Sequence, residues 1–349
     1  MSVRTLARKL GISATAVSLA LKNSPRVSAQ MRTLVQRLAK ESGYVPNARL
    51  AELMNEVRRS VSQRYRATLG AFSLYPEEEP WRTRPHLKTV LQSAAECAHN
   101  HGYEMAYLWM KRPGMTLARF RSIIDARGIQ GLFCLGSMDP EEEIPAELLK
   151  FAIITFAASI PSKLHRVRSH FEADARQLFN ELLRRGYKRP GLAMLVHGDR
   201  RTDYAYSASY LSAQERLFCQ SHLPILRSDT WDEPGFGYWF EIHRPDVVVL
   251  HQSEEYIAGV ETWLKRRRLT VPRDVGLALL DKNPQLARYA GVCQDYGRMG
   301  ATAAEMLIGR LLLRDFSAPE HPKVELVIGD WNEGRTLRAV PGERRTSER

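Results

Sequence analysis

Apolar residues recur at helical spacing through the first forty residues. Leu6, Ala7 and Leu10, with Val3 before them, make one face of a helix over residues 3–10 capped by Ser2. Gly11 supplies a residue tolerant of positive φ and ends it, and Ile12 plugs the turn. Ser13 caps a second helix over residues 14–21, whose Val17, Ala20 and Leu21 continue the same core. Two short helices about a glycine turn predict a helix-turn-helix. After a basic loop over residues 22–26, the cap Ser28 opens a third helix over residues 29–42 with Met31, Leu34, Val35, Leu38 and Ala39 inward. Gly43 stops it. Pro46 blocks continuation and Asn47 can cap a fourth, short amphipathic segment over residues 48–59, with Leu50, Leu53, Met54 and Val57 on one side. That segment either folds on DNA or against a twin, or is a plain linker helix packed on its own chain.

Beyond residue 66 the period changes. Short apolar runs alternate with helical ones: strands at residues 69–74, 104–109, 131–135, 151–156, 189–196, 247–251 and 275–280, and helices at residues 86–101, 117–127, 171–186, 207–221, 257–268 and 299–314. Strands separated by helices of this length predict parallel sheets with helices on both faces. The run is long enough for two such lobes, which enclose a ligand at the carboxyl ends of their strands. The expected fold class is therefore an all-α helix-turn-helix domain followed by a two-lobed α/β domain. The expected boundaries are 1–46 for the helix-turn-helix, 47–66 for a hinge helix and linker, 67–338 for the receptor domain and 339–349 for a polar, disordered tail.

Charge sharpens the division. Residues 1–66 hold 13 Lys+Arg and 3 Asp+Glu, a net of +10. Of the whole chain's 51 basic and 39 acidic residues, 38 and 36 remain, a net of +2. A basic module joined to a neutral one suggests polyanion binding at the first. The outward face of the second helix carries Ala14, Thr15, Ser18, Leu19 and Lys22, small enough to enter a major groove. Ser18 and Lys22 suit phosphates, and Thr15 and Leu19 suit base edges or thymine methyls. Arg26 extends the basic edge, and Arg32 lies near a helix N-terminus that also favours phosphate.

The four cysteines are scattered and form no CxxC pair, and no stretch approaches 18 apolar residues. A soluble, cytosolic protein without disulfides is expected. No phosphate-binding glycine loop, GxSxG elbow or HExxH is present, so no catalytic residue, metal or cofactor is assigned. Cys97, His99 and His101 fall on different helix faces. His165 and His170, flanking Arg166 and Arg168, read as a solvated surface, and Glu141–Glu143 as an exposed helix start. An enzyme on a doubly wound fold, or a receptor domain whose basic module binds DNA only through its charge, are the alternatives to a sequence-reading regulator.

Thr5-Leu6-Ala7, Leu10-Gly11-Ile12-Ser13, Ala16-Val17-Ser18, Val27-Ser28, Arg32 and Gly43-Tyr44-Val45-Pro46-Asn47 together resemble the lactose-repressor (LacI/GalR) family without a gap from Val3 to Asn47. Weaker resemblances follow in order, among them residues 126–131, 185–187, 244–249, 271–275 and 329–338. The resemblance implies a homodimer on a near-palindromic double-stranded operator, with repression the usual outcome and a small-molecule, sugar-like effector as controller. It also implies hinge helices paired in the minor groove, where Leu53 stands at the position that wedges into the central base step. The DNA-facing set is then Thr5, Ala14, Thr15, Ser18, Leu19, Lys22, Arg26, Ser28, Arg32, Asn47 and Leu53. On the receptor side the resemblance places Asp281 against effector. An arginine common in relatives is replaced by Tyr206, four residues before Tyr210, which departs from a standard sugar site. Asp203 and Trp231 are further effector candidates, with core packing the alternative for each aromatic.

Overall fold

The computed structural model describes residues 6–7, 10–21, 24, 27–41, 67–251, 254–282 and 286–342, without the side chains of residues 14, 15, 18, 40 and 41. In the first part, Leu6, Ala7 and Leu10 are helical, followed by α1 (Ala14–Leu21) and α2 (Ala29–Glu41). Gly11 makes the turn at φ +66° with open space where a Cβ would stand. Ser13 Oγ accepts from Ala16 N at 3.1 Å and Ser28 Oγ from Met31 N at 3.3 Å, so the caps expected at Ser13 and Ser28 are made; those expected at Ser2 and Asn47 lie outside the described residues. Leu6, Ala7, Val17, Ala20, Val35 and Ala39 close a small core. Leu34, expected inside, is 38% exposed: the inward stripe is Met31, Val35, Leu38 and Ala39, which leaves Leu34 on its flank.

The rest of the described chain forms two lobes. Lobe 1 begins β1 (Ala67–Phe72), α3 (Pro85–Asn100), β2 (Tyr103–Leu108), α4 (Leu117–Ala126), β3 (Gly131–Cys134), β4 (Ala152–Phe156) and β5 (His165–Ser169). The chain then passes into lobe 2: α5 (Phe171–Arg184), β6 (Pro190–Leu195), α6 (Val196–Arg201), α7 (Ala205–Leu217), β7 (Leu226–Ser228), α8 (Glu233–His243), β8 (Val247–Leu250), α9 (Glu254–Arg266), β9 (Gly276–Lys282) and β10 (Ala290–Cys293). It returns to lobe 1 for α10 (Tyr296–Leu313) and β11 (Val324–Val327), and ends in lobe 2 with β12 (Asp330–Asn332). The sheets run β11-β5-β4-β3-β1-β2 and β12-β10-β9-β8-β6-β7, parallel except for β12 against β10. Three crossovers therefore join the lobes, after β5, after β10 and between β11 and β12.

Strands covered on both faces are apolar throughout, as parallel sheets require. Val247–Leu250, Val-Val-Val-Leu, is fully buried. In lobe 1, Leu87, Val90 and Ala94 of α3 pack with Met299, Ala303 and Leu307 of α10 on one face, and Phe120 and Ile124 of α4 on the other. Gly300 permits the α10–α3 approach: a Cβ there would stand 2.2 Å from the Val90 carbonyl oxygen. In lobe 2, α5 and α7 cover one face with Leu178, Phe179 and Tyr210, and α8 and α9 the other with Phe236, Val260 and Trp263.

Two surface assignments from the sequence are corrected. His165 to Ser169 is the inner strand β5, not a solvated segment, with His165 buried and its Nδ1 accepting from Lys323 N at 2.7 Å. Burial and the Arg310 guanidinium lower its pKa. The glutamates 141–143 do not start a helix; Glu142 N bonds to Asp139 O in a turn, and Lys111 pairs with the Glu142 carboxylate.

Candidate functional site

In each lobe the strand order reverses once, between β1 and β3 in lobe 1 and between β6 and β8 in lobe 2. Ligands in open α/β sheets bind outside the strand carboxyl ends at such reversals. Here the two reversals are joined across the cleft. Arg201, at the end of α6, donates to the Ser137 carbonyl just past β3 at 2.9 Å. His251, one residue past β8, lies so close to Gly198 that a Cβ there would be 2.6 Å from its Nδ1. Burial, with His197 and Arg201 nearby, pushes the His251 pKa down to about 4.

Asp281 stands near the end of β9, where the strand's residues leave the core. Tyr296, the first residue of α10, donates its hydroxyl to the Asp281 carboxylate at 3.1 and 3.2 Å. This pair binds the start of a lobe 1 helix to a lobe 2 strand. The Tyr296 ring stacks on His86 at 5.0 Å and 29°, and Phe156 meets both rings at 6.4 Å. Burial pushes the Asp281 carboxyl up to about 7, against the Tyr296 hydrogen bond and with help from the Asp174 carboxylate. His86 is pushed down to about 4 by burial and by Arg201 and Arg84, so it is neutral at pH 7.

Tyr206 lies beneath. It is fully buried, edge-on to Phe171 at 5.1 Å and 5.4 Å from His251. Its hydroxyl donates to the Leu280 carbonyl at 3.3 Å and accepts from Gln294 Nε2 at 2.9 Å. Ser169 Oγ donates to Gln294 Oε1 at 2.6 Å. The two crossovers holding Ser169 and Gln294 are thus tied to the cleft floor. Asp174 ties the third: its buried carboxylate accepts from Gly329 N at 2.8 Å.

Asp281 and Tyr206 are therefore brought together. Asp203 is exposed at φ +52°, before α7, and its charge acts on Arg166 of lobe 1. Trp231 lies in a different cluster, against Phe236 at 5.4 Å and Tyr256 at 5.0 Å, with Gly259 beneath its ring. Sequence reasoning missed His86, Ser137, Arg201, His251, Gln294 and Tyr296. Only the strand order, which sequence does not give, marks them as neighbours.

In the N-terminal module, Arg32 donates to the Ser24 carbonyl at 3.2 Å and so holds the loop between α1 and α2. Leu19 is half-buried on α1 and Ser28 is exposed. Thr5, Lys22, Arg26, Asn47 and Leu53 lie outside the described residues, as do the side chains of Ala14, Thr15 and Ser18.

A helix-turn-helix with capped helices, carried by a two-lobed α/β body clamped about a polar cleft, defines a DNA-binding regulator with a receptor domain. The comparisons agree. Residues 3–47 match the bacterial regulatory proteins of the lacI family, and residues 179–336 a periplasmic-binding-protein-like domain. The chain is 23% identical to the HTH-type transcriptional repressor CytR of Escherichia coli strain K12 over 288 residues, 80% of each chain. The transcriptional regulator CelR in complex with cellobiose superposes with a TM-score of 0.59 at 17% identity, over 96% of this chain and 99% of that one. The lac repressor dimer bound to operator and the anti-inducer ONPF does so at 0.55 and 14%, over 97% and 99%. The N-terminal segment thus carries a lacI-family DNA-binding domain, and the curated relative it matches is a transcriptional repressor. Among the described residues no helix is long and apolar enough to cross a membrane.

Proposed function

We propose that this protein is a cytoplasmic homodimeric repressor whose grip on a near-palindromic operator is set by a small effector, sugar-like in size, bound between the lobes. The observation that carries the reading is the joining of the two lobes through Asp281–Tyr296 and Arg201–Ser137, at the point where their strand orders reverse. A ligand that prefers one lobe arrangement shifts the population toward it, and the chain leading from Ala67 back to the DNA-binding module transmits the shift. The domain boundaries proposed are 1–46, 47–66 and 67–338. Thr5, Ala14, Thr15, Ser18, Leu19, Lys22, Arg26, Ser28, Arg32 and Asn47 face DNA, and Leu53 wedges the central step.

The test is selection of bound duplexes from a randomised library by the full-length protein at near-physiological salt. Recovery of a near-palindrome with a flexible central step supports the reading, and Leu53→Ala then weakens binding about tenfold or more by removing the wedge. Recovery of no preferred sequence, with binding that only falls with salt, sinks the dimeric operator reader.

A further inference from the structure

We propose that the cleft takes a small organic cation, an ammonium group held by Asp281 among the aromatic rings about it, rather than a neutral polyol. This rests on the cleft being the effector site, and it names the charge of the effector.

Asp281 carries a carboxylate with no counter-ion. Its hydrogen-bond partner is the Tyr296 hydroxyl, and the charge acting on it is a second carboxylate, Asp174. Among the described residues no Lys, Arg or His lies within ion-pair distance of it. A carboxylate has room for about four hydrogen-bond donors, and Tyr296 supplies one.

Aromatic rings lie about the carboxylate. Tyr296 and His86 are stacked, Phe156 closes on both, and Tyr206 lies below. Ring faces attract cations, the more so where water is excluded. His86 adds no positive charge to oppose one, because burial keeps it neutral at pH 7. The guanidinium groups near His86 are engaged elsewhere: Arg201 on the Ser137 carbonyl, and Arg84 over the Tyr75 ring at 4.4 Å. An amino sugar or a comparable hydroxylated amine offers an ammonium for Asp281 and hydroxyl oxygens for Arg201.

The experiment is isothermal titration of the full-length protein at pH 7.5 with matched pairs: glucosamine and glucose, galactosamine and galactose, putrescine and 1,4-butanediol. The expected result is that in at least one pair the amine binds about tenfold tighter or more, and that Asp281→Asn abolishes the preference while the variant's unfolding midpoint does not fall. The proposal is overturned if the neutral member binds as well as the amine, if Asp281→Asn leaves the preference intact, or if no amine binds up to about 10 mM. Neutral-sugar binding that Asp281→Asn weakens would overturn the cation alone and leave the effector cleft standing. Binding of any probe that neither Asp281→Asn nor His86→Ala alters would count against both.

Discussion

Asp281→Asn should make the folded protein more stable at pH 8 and leave it nearly unchanged at pH 4.5. The Asp281 carboxyl is raised from 3.8 to about 7, chiefly by burial. At 1.36 kcal/mol for each tenfold change, the charged form is disfavoured in the fold by about 4 kcal/mol. Between about pH 4 and pH 7 the folded protein holds a proton that the unfolded chain releases. Unfolding free energy therefore falls as pH rises through that window, and the full cost is present above about pH 7. Asparagine does not titrate, fills nearly the same space, and still accepts from the Tyr296 hydroxyl. Local relaxation and entry of water reduce the gain, so about 1–2 kcal/mol is expected at pH 8. With a urea dependence of about 3 kcal/mol per molar, the midpoint moves up by roughly 0.3–0.7 M. Tryptophan fluorescence isolates the relevant transition, because all six tryptophans lie beyond residue 66. A variant destabilised equally at both pH values would refute the reasoning, since the carboxylate would then carry no uncompensated charge. Tyr296→Phe is the converse control: it removes a donor to the charged form, so it should destabilise more at pH 8 than at pH 4.5.

Gly300→Ala places a methyl 2.2 Å from the Val90 carbonyl and forces α10 off α3, with an expected loss of about 2–3 kcal/mol in urea unfolding. Ser13→Ala removes the acceptor of Ala16 N and should cost the helix-turn-helix about 1 kcal/mol, seen as a lower melting temperature of that module and weaker DNA binding. Arg201→Ala deletes the bond from lobe 2 to the Ser137 carbonyl and should favour the open lobe arrangement, read as an increased radius of gyration in solution scattering. An unchanged radius would mean that Asp281–Tyr296 and the crossovers alone hold the cleft.

The helix-turn-helix was legible because its contacts are local. Leu6, Val17 and Val35 fall on helical stripes, and Ser13 and Ser28 sit where caps are needed, so a short stretch of chain carries its own instructions. Val247–Leu250 was legible for a similar reason, as an unbroken apolar run buried on both faces. His165–Ser169 was not. Its alternating His-Arg-Val-Arg-Ser pattern resembles surface, and only β4 on one side and β11, drawn from residues far along the chain, make it an inner strand. The same divide runs through the cleft. Asp281 was found from its place after a strand and from the family resemblance. Its partners were not, because His86, Ser137, Arg201 and Tyr296 sit in four separate stretches of sequence whose nearness depends on strand order and on three crossovers. Sequence by itself determined the periodicities, the caps and the charge of the two halves, all set by neighbours within a few residues. Which carboxylate lost its water, and which rings enclose it, was decided only by the tertiary structure, because burial is a property of the packed lobes and not of any one segment.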